Sequence, residues 1–160
     1  QEGPRAMLLE IQALVDDMQA NNPKRLAVGV DGNRVTMILA ILHQHCGVEF
    51  GQYDVFVNAV GGIRATEPAC DLAMAMALVS SIRGSALPAD LCCFGELGLT
   101  GEVRAVQMAQ QRMREAAKLG FGKIIMPKRC MPDVVPAGIE VVGVKDLVEA
   151  ISALKRWDKA

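Results

Sequence analysis

The side chains best suited to metal or nucleophilic chemistry in this sequence are two histidines and five cysteines. His43 and Cys46 stand three residues apart, close to one helical turn, and could share a metal ion. His45 falls on another face of the same segment. Cys92 and Cys93 are adjacent in a strand-like run, so their side chains point to opposite faces and cannot hold one ion together. None of the cysteines Cys46, Cys70, Cys92, Cys93 and Cys130 has the CxxC spacing of zinc or redox sites. Reduced, buried thiols in a cytosolic compartment are expected, with no metal site. Cys70 is the candidate nucleophile, because the start of a helix favours a thiolate, although neither histidine has a sequence-level claim to pair with it. Gly61-Gly62 follows a strand, yet the chain contains neither GxxxxGK[ST] nor GxGxxG, which argues against a nucleotide site.

Basic residues form small clusters at Lys24-Arg25, Arg112-Arg114-Lys118 and Lys128-Arg129, with Phe121 the one aromatic among them. A formal charge of −1 and a pI near 6.2 leave no cationic field over the whole chain, so any DNA contact must be a local strip. With 160 residues, 51% of them hydrophobic, the chain can bury one core. Apolar runs such as Leu72 to Ser80 fall far short of the roughly 20 residues that span a bilayer. The start, Gln1 to Arg5, lacks the pattern of a secretion signal and reads as a cut inside a longer protein.

The elements that must position these residues are strands and helices in alternation. Met7 to Val15 and Arg25 to Val30 read as two strands of a hairpin with a long polar connection, Asp16 to Pro23. Asp31 caps a helix in which Val35, Ile38, Leu39 and Leu42 recur at helical spacing, ending at Gly47. Tyr53 to Val60 is a strand. Thr66 then caps a helix whose body, Leu72 to Ile82, is apolar on nearly every face and ends at Gly84. Asp90 to Phe94 and Glu102 to Val106 read as strands around the loop GELGLTG. A helix from Gln107 to Leu119, strands Lys123 to Met126 and Ile139 to Val142, and a last helix from Val144 to Leu154 complete one α/β or α+β domain.

The stretch from Glu67 to Val106, EPACDLAMAMALVSSIRGSALPADLCCFGELGLTGEVRAV, followed by QRMREAAKLGF and IIMPK, resembles the proteolytic domain of Lon proteases. DVFVNAVGG, TEPACDLA, FGELGLTGEVR and REAAKLGF resemble more closely still the C-terminal domain of the RadA (Sms) family of DNA repair ATPases, over nearly the whole chain. The resemblance implies a two-layer α+β sandwich like domain 2 of ribosomal protein S5. Residues 1–160 would then be a single Lon-protease-like domain, excised from the C-terminal end of a longer protein.

Lon-type enzymes use a serine and a lysine, and the resemblance puts those positions at Ala69 and Arg112. A methyl group cannot attack a carbonyl, and a guanidinium that stays protonated cannot accept the nucleophile's proton. The domain is therefore expected to have no catalytic residues and no cofactor. ATP, Mg and Zn would belong to a RecA-like ATPase and a zinc finger outside these residues. The family implies a cytoplasmic, ring-shaped hexamer that drives DNA branch migration. Its expected partners are further copies of itself, single-stranded or branched DNA and a recombinase, with no membrane. Candidate DNA contacts are Lys24, Arg25, Arg34, Arg64, Lys128 and Arg129, chosen because they lie in or beside loops. Two rivals stand beside this reading: a peptidase using Cys70, Ser80 or Ser81, and a peptide-binding module that keeps the old substrate cleft.

Overall fold

A computed structural model of the chain describes residues 10–17, 22–60 and 67–158. Thr66, Arg64, Gly61-Gly62 and the start of the strand expected from Met7 lie outside the described residues.

The first sheet has the order β1-β3-β2, built from β1 (Glu10–Asp17), β2 (Arg25–Val28) and β3 (Tyr53–Val60). β1 and β2 are not a hairpin, contrary to the sequence reading: β3 lies between them, antiparallel to β1 and parallel to β2. Helix α1 (Gly32–Cys46) supplies the crossover that two parallel strands require. Alternation along the strands sorts two faces. Ile11, Ala13, Val15, Ala27, Val55, Val57 and Ala59 turn into the core. Leu14, Phe56 and Leu26 lie directly opposite one another in register on the outer face.

Asp31 caps α1 by accepting the Asn33 N–H at 2.9 Å, and the helix ends at Gly47, as its sequence requires. A short 3-10 turn, Pro68–Cys70, leads into α2 (Asp71–Arg83), which ends at Gly84. Leu72, Met74, Ala75, Met76, Leu78 and Val79 are all buried, because α2 lies against β1, α1 and α4 at once. This explains its all-round apolar sequence.

The second sheet, order β4-β7-β8, is wholly parallel: β4 (Leu91–Cys93), β7 (Lys123–Pro127) and β8 (Glu140–Val144). Between β4 and β7 come a two-stranded ribbon, β5 (Glu96–Leu97) with β6 (Val103–Arg104), and α3 (Ala109–Lys118). The strand expected over Asp90 to Phe94 thus pairs with β7 and not with the segment after the loop; the hairpin is the smaller β5-β6 unit. Asp146 caps α4 (Leu147–Ala153) by accepting the Glu149 N–H at 2.8 Å. The Glu149 carboxylate accepts the Lys145 N–H at 2.7 Å in return, so the helix starts three residues later than its apolar pattern implies. The result is a mixed α/β sandwich. Among the described residues no helix is long and apolar enough to cross a membrane.

Candidate functional site

The turn before α2 and the start of α3 bring Ala69 and Arg112 to the same cleft, of about 620 Å³. Its wall is otherwise made chiefly of Cys70, Ala73, Met76, the β4 residues Leu91 to Cys93, Phe94 and Phe121. Glu10 and Arg112 are the charged residues in that lining. The backbone holds Ala69 in place: its carbonyl accepts the Gly95 N–H at 2.9 Å, and the Gly95 carbonyl accepts the Leu72 N–H at 3.0 Å. Gly95 is needed for this approach, since a Cβ there would sit 2.8 Å from Val103 Cγ1.

Arg112 is fixed on both sides. Its Nε donates to the Gln107 carbonyl at 3.0 Å, and its Nη1 lies 2.7 Å from Glu67 Oε1; its side chain is only 11% exposed against 53% for Glu67. α3 reaches this position through Met108, which adopts the left-handed conformation (φ 59°) immediately before the helix. Ala69 has no group to ionise or to attack, and the Arg112 guanidinium is ion-paired with a carboxylate.

Cys70 also lines the cleft. Burial, then the Glu67 carboxylate, push its thiol up to about 11, against a lesser opposing pull from Arg112. The helix start therefore does not make it a thiolate at neutral pH. Cys92 is pushed up to about 12 and Cys93 further, both by burial. The two serines of the rival reading are engaged elsewhere: Ser80 Oγ donates to the Ser85 carbonyl at 2.7 Å, and Ser81 Oγ accepts the Val15 N–H at 2.8 Å. His43 Nε2 lies 3.2 Å from Glu49 Oε2, and His45 Nε2 is 3.0 Å from the Leu99 carbonyl. Among the described residues no three His, Cys, Asp or Glu side chains are grouped to hold a metal.

The basic residues singled out in the sequence are not brought to one place by the interactions they make. Arg34 faces inward: its guanidinium makes two bonds to the fully buried Asp71, one from Nε at 2.7 Å and one from Nη2. Arg25 spends its guanidinium on the carbonyls of Tyr53 and, at 3.1 Å, Phe50. Lys24 is exposed just before β2, with its N–H on Asp54 Oδ1. Lys128 and Arg129 are exposed on a 3-10 turn after β7, and Arg64 lies outside the described residues. The Arg34–Asp71 pair had escaped the sequence reading. The one signal for it was Asp71 itself, an acid heading an otherwise apolar helix. Asp71 Oδ2 also accepts the Leu97 N–H at 3.0 Å, so this carboxylate ties α1, α2 and β5 together beside the cleft.

Residues 25–130, which carry Ala69, Cys70 and Arg112, match the family described as subunit ChlI of Mg-chelatase. The chain belongs to this family. It is 50% identical over 151 residues to the DNA repair protein RadA of Escherichia coli, covering 94% of this chain and 33% of that protein. It is 56% identical over 126 residues to RadA of Brucella abortus (79% and 27%), and 44% identical over 152 residues to RadA of Bacillus subtilis (94% and 33%). The chain spans about a third of the length of the curated relatives it matches. The RadA resemblance read from its motifs thus holds over nearly the whole chain.

Proposed function

We propose that this chain is the non-catalytic, Lon-like part of a RadA-type DNA repair and recombination ATPase, serving as a scaffold for a hexameric ring with DNA contacts in its channel. The observation that carries the reading is the cleft: the two positions that a Lon-type peptidase gives to serine and lysine meet there as a methyl group and an ion-paired guanidinium. A fold that keeps the cleft without the reacting groups is suited to assembly and binding. What supports assembly is the outer face of the first sheet, where Leu14, Leu26 and Val28 are 57, 55 and 53% exposed around Phe56. An apolar row of that kind on an open sheet marks an interaction surface. Of the DNA-contact candidates, Lys24, Lys128 and Arg129 are exposed; six copies of a few such residues build a positive channel even when each chain is near neutral. ATP, Mg and Zn, and the DNA-driven activity, belong in this reading to the parts of the relatives that lie beyond this chain, in the cytoplasm.

The catalytic half is tested by incubating the chain with a fluorogenic apolar peptide and with serine- and cysteine-directed active-site probes. The expected outcome is neither turnover nor labelling. Labelling of Cys70, Ser80 or Ser81 with matching hydrolysis would replace the scaffold reading with an enzyme.

A further inference from the structure

A ring of more than two copies needs two different surfaces on each chain, because a surface that meets its own image closes as a pair. One of the two is the outer face of the first sheet, where Leu14, Leu26, Val28 and Phe56 line an open hollow of about 670 Å³. Along that face Asp16 and Asp54 stand directly opposite each other in register, and alternation puts Glu10 on the same side at the other end of β1. Lys24, whose N–H is taken by Asp54, is a cation beside them, so carboxylates outnumber cations there. Like charges paired across two strands disfavour each other, and a cation brought from outside would relieve them.

The second surface must therefore be apolar and basic. Away from this face, the large apolar side chains exposed among the described residues are Leu99, Leu119, Val134, Val135 and Val148. Leu119 belongs to the cleft. Near Leu99 and Val148 the cations Arg104 and Lys145 are already paired with Glu102 and Glu149. Val134 is 81% exposed, and it and Val135 follow Lys128 and Arg129, which are exposed and make no ion pair among the described residues. The loop is held in shape. Its start packs where Gly143 leaves room, since a Cβ there would sit 2.7 Å from Met131 Cγ, and Pro132 and Pro136 flank the valines. A stiff apolar knob loses little freedom on docking.

We propose that Val134 and Val135 of one copy dock on the outer sheet face of the next, among Leu14, Leu26 and Phe56, with Lys128 and Arg129 set against Asp16 and Asp54. The contact is head-to-tail, so it repeats around a ring instead of closing as a pair. It rests on the ring reading, and it assigns Lys128 and Arg129 to the joint between copies rather than to the DNA channel.

The test is light scattering after size exclusion on the unmutated chain, on Gln12→Lys with Asp16→Lys, on Lys128→Glu with Arg129→Glu, and on an equimolar mixture of the two double variants. All four substituted residues are exposed, and circular dichroism checks that each variant is folded. The unmutated chain should assemble, and each double variant alone should associate about tenfold more weakly or worse, because like charges then face each other. The mixture should recover assembly, since the unaltered loop of one variant meets the unaltered face of the other and the two reversed surfaces match in turn. Assembly of the Lys128→Glu, Arg129→Glu variant equal to that of the unmutated chain, or no recovery in the mixture, would overturn the joint and leave the ring reading standing. A monomeric unmutated chain would overturn both.

Discussion

Replacing Asp71 tests whether the inward-facing Arg34 is a structural strut or a surface charge. In the folded chain the Asp71 side chain is fully buried and takes two bonds from a guanidinium that is itself only 22% exposed, plus one from Leu97 N–H. Asp71→Ala strands a largely buried cation and leaves a buried N–H unbonded. Breaking a buried pair by removing one partner costs about 3–5 kcal/mol, and Arg34's residual access to water places this case at the lower end, about 3 kcal/mol. For a chain of this size that corresponds to a fall in Tm of roughly 6–12 °C. Asp71→Asn keeps an acceptor for Leu97 and should cost less. The assay is urea unfolding of the single variants and of Asp71→Ala combined with Arg34→Met. The double variant should be more stable than the sum of the two single losses implies, by about 1 kcal/mol or more, because no charge is left unpaired. A loss below about 1 kcal/mol for Asp71→Ala, or strict additivity, would refute the strut.

Met108 is the non-glycine residue in the left-handed region among the described residues, so Met108→Gly should stabilise the chain by about 0.5–1 kcal/mol in thermal unfolding. Alkylation of Cys70 by iodoacetamide, followed by peptide mapping, should be slow at pH 7 and rise about tenfold per pH unit through pH 9 without a plateau, because burial holds its pKa at about 11. Bonds from Thr100 and from its own backbone, then Arg104, hold the Glu102 carboxyl at about 2, below the ordinary 4.5. A depressed carboxylate adds stability above its unfolded pKa that is lost as pH falls from about 4.5 toward 2. The stability difference between the chain and its Glu102→Gln variant should therefore shrink across that window; a difference constant with pH would remove this role.

Local signals in the sequence were reliable where one residue decides the outcome. Asp31 and Gly47 bound α1, Gly84 ends α2, and most of the apolar body of α2 is buried. Pairing partners were not legible. β1 and β2 are neighbours in sequence with a loop between them, but their common partner β3 lies beyond α1. Strand alternation alone cannot say which edge a strand meets. The same blindness affected β4, whose partner follows a ribbon and a helix. At the site, the resemblance located Ala69 and Arg112. Side-chain partners were not visible from spacing: Arg34 looked like a loop-edge cation because Asp71 lies 37 residues away. Cys70 looked activated because its helix position was legible, whereas the burial that raises its pKa was not.

Light scattering coupled to size exclusion tests the scaffold most directly, run at low and high protein concentration and at two salt concentrations. The account predicts hexamer in excess over monomer at high concentration, and a shift to monomer when Leu26→Glu and Val28→Glu place charges on the open sheet face. Strictly monomeric behaviour of the unmutated chain under every condition would contradict it.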